Sequence, residues 1–106
     1  MSISLFLATI ASVLAGHHVS VYCNHPPGTP WTGSVYGYAV WMMGTTRYDK
    51  IYLRNCRATR LGKRQSVDIF AHEILHIKHK SWPHWRIYAV EHSYGAVVLR
   101  EIHKRS

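Results

Sequence analysis

Two histidines and a glutamate form the part of this sequence best suited to chemistry. His72, Glu73 and His76 make up the pattern His-Glu-x-x-His within residues 71–77. Residues four apart lie on the same face of a helix, so the two imidazoles can bind one metal ion. Glu73, one position along, is then placed to act on a water molecule at that ion. The pattern predicts a hydrolytic zinc (Zn2+) site.

The residues around the pattern favour a buried helix. Nine histidines in 106 residues make a chance occurrence easier, yet shuffling this composition gives the pattern in only roughly 2% of trials. Apolar residues recur at three- and four-residue intervals, as on a helix face that packs against a core. They are Val67, Phe70, Ile74 and Ile77. The histidines therefore lie on a helix with a buried side.

A catalytic zinc ion needs a third protein ligand. Glu91 is the expected one, because it lies midway along a second predicted helix that follows a proline-containing turn. His84, at the start of that helix, is the alternative. His79 lies two turns beyond His72 on the same helix, too far along for all three side chains to converge.

Four further residues are candidates for supporting roles. Asp68, one turn before His72, is able to accept a hydrogen bond from a metal-bound histidine, and it is equally suited to begin the helix. Tyr88, Tyr94 and His92 are candidate donors to the oxyanion of a hydrolytic intermediate. For each of the three, an ordinary core or surface role is at least as good an interpretation.

The first sixteen residues are apolar and have two interpretations. The favoured one is an N-terminal helix of the domain, with Leu5, Ile10, Val13 and Leu14 packing inward and Gly16 ending it. The other is a signal peptide, but no Lys or Arg occurs before position 47. At this length the segment is short for a membrane span, and no transmembrane segment is expected.

Alternation of apolar and polar residues predicts three strands, within residues 17–23, 35–43 and 51–54. A Pro- and Gly-rich loop is expected at 24–33 and a turn at 44–50, the turn joining the last two strands as a hairpin. A basic connection then covers residues 55–65, with Arg57, Arg60, Lys63 and Arg64.

Two helices complete the predicted order. Ser66 or Asp68 is expected to cap the first, which ends at Ser81-Trp82-Pro83. The second is expected over about residues 84–103. The chain therefore predicts one α+β domain over residues 1–106, with an N-terminal helix, a small twisted three-stranded sheet and two packed helices.

In layout and in the site residues, the chain resembles the zincin metallopeptidases. His-Glu-x-x-His followed by a glutamate on the next helix resembles the minimal one-domain gluzincins. This resemblance implies that His72, His76 and Glu91 bind zinc, that Glu73 activates a water, and that an edge strand binds an extended peptide. His84, Trp85 and Tyr88 resemble the SprT-like group, where a histidine opening the second helix is the third ligand.

The composition indicates less about the binding partners of this chain than about its fold. Thirteen Lys and Arg against five acidic residues give a net charge of +8, which permits nucleic acid as a partner without any motif indicating it. Cys23 and Cys56 lie at predicted strand ends, and a disulfide or two free thiols both fit. The cytoplasm is slightly favoured over secretion.

The expected function is hydrolysis of a peptide or protein substrate by a monomeric zinc metallopeptidase. The alternative is a small, basic, metal-containing binding protein without catalysis, whose partner is nucleic acid or protein. Glu73 distinguishes the two, because a structural metal site does not need a carboxylate at that position.

Overall fold

A computed structural model describes residues 2–106, and Met1 lies outside the described residues. The architecture is α+β, as the sequence predicts. In chain order the elements are α1 (Ile3–Ala15), β1 (Ser20–Tyr22), β2 (Gly37–Met42), β3 (Thr45–Leu53), α2 (Cys56–Arg60), α3 (Arg64–Lys78) and α4 (His84–Arg105).

The N-terminal helix α1 packs into the core. The Ser2 hydroxyl accepts a hydrogen bond from the Leu5 amide and caps its start, and Gly16, with a φ of 81°, ends it. The predicted buried face was wrong in part, because Leu5 and Val13 are exposed. The buried side chains are Phe6, Leu7, Ile10 and Ala11. Since apolar residues occur all round this helix, its periodicity does not show which side faces inward.

The sheet has the order β1-β3-β2, with β3 in the centre. β1 runs parallel to β3, and β2 pairs with β3 in an antiparallel hairpin. The predicted turn at 44–50 was wrong, because β3 already begins at Thr45 and the chain reverses at Gly44, which has a φ of 80°. The sequence predicts a turn at residues 45–50 because most of their side chains are polar.

One face of the sheet packs against the helices. Val21, Ile51 and Leu53 point inward and join the α1 and α3 side chains in the core. As predicted, Val67, Phe70, Ile74 and Ile77 form the core side of α3. α3 is the most buried helix, with ten buried residues in its fifteen. It therefore holds its side chains in fixed positions beneath the sheet.

Helix boundaries differ from the prediction in two places. A short helix, α2, occupies part of the predicted basic connection. α3 begins at Arg64, with Lys63 as its N-terminal cap, so neither Ser66 nor Asp68 caps it. The first turn forms without a side-chain cap because burial of Val67 and Phe70 stabilises it instead. α4 agrees with the predicted second helix.

Two cross-links join the elements. Cys23, just after β1, forms a disulfide with Cys56 at the start of α2, with a Cα–Cα distance of 5.6 Å. The buried carboxylate of Asp49 lies 2.8 Å from Nζ of Lys80 and 2.7 Å from Nε2 of His17. The sheet is thereby tied to α2 and to the C-terminal end of α3. No helix among residues 2–106 is long and apolar enough to cross a membrane.

Candidate metal centre

Three histidines from two helices converge beneath the sheet. His72 and His76 come from α3, and His84 is the first residue of α4. One ring nitrogen from each lies within 4.8 Å of the other two. The Nε2 atoms of His72 and His76 are 3.1 Å apart. The group could hold a metal ion.

The local sequence explains why these three side chains meet. The four-residue spacing places His72 above His76 on α3, with ring centres 4.8 Å apart. Pro83 is the N-terminal cap of α4, and proline suits a helix start but not a helix interior. This short turn puts the His84 ring 4.7 Å from that of His76 and 5.2 Å from that of His72.

The donor set fits a divalent transition metal. Burial, followed by the neighbouring His76 and His84, lowers the pKa of His72 from 6.5 to about 4. Burial, followed by His84, also lowers the pKa of His76. Neutral imidazoles are the form that binds a metal. Two nitrogens bound tetrahedrally to zinc at about 2.0–2.1 Å are about 3.3 Å apart, close to the His72–His76 spacing.

Glu91 occupies a different position from the one expected. The group that converges contains the alternative ligand, His84, in place of Glu91. Oε2 of Glu91 lies 3.4 Å from Nδ1 of His72, on the opposite side of the ring from Nε2. Glu91 lies seven positions into α4, about two turns beyond His84, so its carboxylate reaches the outer side of the His72 ring. A carboxylate there favours a proton on Nδ1 and leaves Nε2 free.

Glu73 lies beside the histidines and is 6% exposed. Burial, followed by the charge of Glu91, raises its pKa from 4.5 to about 8. Its carboxylate lies against Gly37 on β2: a Cβ atom at that glycine would be 2.9 Å from Oε2 of Glu73. The absence of a side chain at Gly37 therefore makes room for the Glu73 carboxylate.

A cavity of about 530 Å³ opens onto the side chains of the three histidines and Glu73. One wall is the edge strand β2 and the residues just before it, from Ser34 to Ala39. Trp41 stacks on His76 with ring centres 5.3 Å apart. Tyr88 lines the other wall, 5.0 Å from the His72 ring. The site is thus a groove between an edge strand and the start of α4.

The other predicted supporting residues lie outside this cavity. Asp68 pairs with Arg64 through Nε at 3.0 Å and with His92 through Nδ1 at 2.8 Å. The His92 side chain is 78% exposed. Tyr94 packs against the hydrophobic core, and burial raises its pKa. Among the predicted donors, only Tyr88 is brought to the histidines.

Two residues of the site have no counterpart in the sequence prediction. Gly37 and Trp41 line the cavity from β2, 36 and 32 positions before Glu73 in the chain. An isolated glycine within a predicted strand indicates a close approach of another group, and this signal pointed to Gly37. Nothing in the sequence singles out Trp41 from the other aromatic residues.

Comparisons with known proteins give no relative for this chain. No family model, curated protein or solved structure matches it.

Proposed function

We propose that this protein is a zinc-dependent metallopeptidase of the zincin type, with His72, His76 and His84 as the metal ligands. The observation that carries the proposal is the convergence of three imidazoles with a buried glutamate in one groove. Catalytic zinc sites use three protein ligands and leave one position open for water or substrate. Three histidines that converge on an open cavity satisfy that requirement.

Each side chain has a distinct role in the proposed reaction. When bound, zinc supplies a Lewis acid that polarises the scissile carbonyl and acidifies a water molecule. Glu73 accepts the proton of the attacking water on its carboxylate and delivers it to the leaving nitrogen. Burial disfavours the ionised form of Glu73, and a bound zinc ion would stabilise it. Glu91 orients the His72 ring through Nδ1.

The substrate is proposed to be an extended peptide along the free edge of β2. β3 is the central strand, so of the two strands expected to bind substrate only β2 has an unpaired edge. Its residues line the same groove as His76 and Glu73. An edge strand binds an extended chain through backbone hydrogen bonds, which requires no particular side chains in the substrate.

The decisive experiment measures zinc content and cleavage together. Wild-type protein is stripped with a chelator, reloaded with zinc and tested on a fluorogenic peptide mixture. Glu73→Gln is expected to keep one zinc and to lose about 10²- to 10⁴-fold in cleavage. Metal-free wild-type protein after reloading would refute the proposal. Zinc without cleavage of any peptide would favour a non-catalytic metal-containing binding protein.

The same assay distinguishes a residue that binds the metal from a carboxylate that only orients such a residue. His84→Ala is expected to abolish tight zinc binding, whereas Glu91→Gln should weaken it by about 10- to 100-fold. Glu101→Gln is the matched control, because Glu101 lies on the same helix and pairs with Arg105 at 3.1 Å, away from the histidines. Tight zinc binding in His84→Ala, with none in Glu91→Gln, would restore Glu91 as the third ligand.

A further inference from the structure

The face of the sheet turned away from the helices carries aromatic side chains from all three strands. Tyr22 and Tyr52 are register partners on β1 and β3, and their rings stack with centres 5.1 Å apart. Tyr38 on β2 is the register partner of Tyr52 and stacks on Trp31 at 5.6 Å. The result is an aromatic row that crosses the sheet.

Basic side chains border this row. Lys50 on β3 shares the outer side with Tyr52, since the two are separated by one residue along the strand. The guanidinium of Arg47 lies 5.4 Å from the ring centre of Tyr48. Beyond the other end of β3, the guanidinium of Arg54 lies 5.3 Å from the ring of Tyr36. A cation therefore lies beside an aromatic ring toward each end of β3.

Two aromatic rings at this surface are accessible, whereas Tyr52, in the middle of the row, is only 9% exposed. Tyr22 and Tyr48 are each 43% exposed. Together with Lys50 and Arg54 they form the aromatic–basic face, which Arg47 borders through its contact with Tyr48. Because both rings are partly packed by a neighbour and partly open, they offer ordered flat surfaces that need little rearrangement to stack on a ligand.

The acidic residues lie elsewhere in the molecule. Asp49 is the only acidic residue before position 68. Its side chain points inward, is fully buried and is paired with Lys80 and His17. The other four acids belong to α3 and α4. The outer face of the sheet thus carries positive charge with no carboxylate to offset it, which makes it complementary to an anionic partner.

We propose that the aromatic–basic face binds single-stranded nucleic acid. Proteins that bind single strands without sequence preference combine cations for the phosphates with aromatic rings on which bases stack. The sheet brings both groups together, from residues spread over positions 22 to 54. A single strand is favoured over a duplex because only unpaired bases can stack on protein rings.

The side chains of this surface differ from those of the candidate metal centre, although Tyr36 and Tyr38 also border its cavity. Gly37 and Trp41 on β2 point inward to Glu73 and His76. Tyr38, between them, points to the opposite face, because side chains alternate along a strand. Binding of nucleic acid is therefore expected to be the same in wild type and in Glu73→Gln, so the proposal stands or falls independently of peptidase activity.

The test measures fluorescence anisotropy of labelled oligothymidylate and oligouridylate of about 15 nucleotides, a length near the upper end of single-strand binding sites. The variant Arg47→Glu/Lys50→Glu is compared with Arg100→Glu/Lys104→Glu on α4, two exposed positions. Each pair of substitutions lowers the net charge of +8 by four, to +4. Any general effect of charge is therefore matched between the two variants.

The face variant is expected to lose at least about tenfold in affinity for the oligonucleotides, and the control less than about threefold. The dependence of log affinity on log salt should also fall by about 1.4 in the face variant, since each lost phosphate contact contributes about 0.7 for single strands. If the glutamates impair folding, glutamine at the same positions gives the same comparison with half the charge change. Equal losses in the two variants would overturn the proposal.

A second comparison tests the stacking contribution. Tyr22→Ala is expected to weaken binding by between about 5-fold and about 150-fold, the range for loss of one stacked base. Trp85→Ala removes an aromatic side chain that is 72% exposed on α4 and should have no effect. Absence of nucleic-acid binding by wild type would overturn the proposal. Binding of a sulfated polysaccharide with the same affinity, unchanged by Tyr22→Ala, would also overturn the proposal. Such binding would indicate a surface for polyanions in general.

Discussion

Substitution of Gly95 by alanine is expected to destabilise the protein, although alanine is normally the better helix residue. Gly95 lies within α4, and a Cβ atom there would overlap Oδ1 of Asp68 on α3. Ordinary contact would require the Asp68 carboxylate to move by more than about 1 Å. That movement would disturb its pairs with Arg64 and His92.

The magnitude follows from two opposing terms. Overpacking of this kind costs about 1–3 kcal/mol. Replacing glycine by alanine in a helix interior contributes about 1 kcal/mol in the other direction. Gly95→Ala should therefore lower the free energy of unfolding by up to about 2 kcal/mol. In an Asp68→Ala background the obstruction is gone, and the same substitution should raise the free energy of unfolding by about 1 kcal/mol.

Urea denaturation of the four proteins in this double-mutant cycle measures the effect, with the disulfide intact and the metal removed. The expected coupling free energy between positions 68 and 95 is about 1–3 kcal/mol. The melting temperature should fall in the wild-type background and rise in the Asp68→Ala background, by about 4 °C for each kcal/mol. If Gly95→Ala destabilises both backgrounds equally, the close approach of Asp68 to Gly95 is not the cause, and the reasoning fails.

Three further predictions concern the cross-link, the buried glutamate and the strand beside it. Reduction of Cys23–Cys56, which are 33 positions apart, should lower the free energy of unfolding by about 3–4 kcal/mol, measured in urea with and without reductant. In metal-free protein the raised pKa of Glu73 stabilises the fold below about pH 4.5, and this contribution is lost as pH rises through about 8. Stability relative to Glu73→Gln should therefore fall over that range by on the order of a few kcal/mol, and parallel pH profiles would contradict the assignment. Gly37→Ala should reduce peptide cleavage by about tenfold, with zinc affinity unchanged, because its Cβ displaces the Glu73 carboxylate; full activity would show that this contact is unimportant.

The sequence by itself determined the features that depend on local spacing. The four-residue interval between His72 and His76 places both rings on one helix face wherever that helix packs. Apolar periodicity identified the core side of α3 and the extent of α4. The alternation of residues 17–23 and 35–43 identified two of the strands. These predictions succeeded because each depends on contacts within a single element.

Only the tertiary structure decided which groups meet across elements. His84 and Glu91 lie on one helix, about two turns apart, and the way α4 packs on α3 brings His84 to the Nε2 side of His72 and Glu91 to its Nδ1 side. No periodicity within α4 encodes that difference. The disulfide likewise depends on β1 and β3 being parallel neighbours, which the sequence left open.

The surface opposite the candidate metal centre also depends on how the elements pack. Strand alternation places Tyr22 and Lys50 each on one side of its own strand, but their common face follows from the order β1-β3-β2. Gly37 is suited to a close approach by its type, yet only packing shows that the approaching group is Glu73. The spacing of residues determines which side chains share a face of one element, whereas the packing of the elements determines which groups they contact.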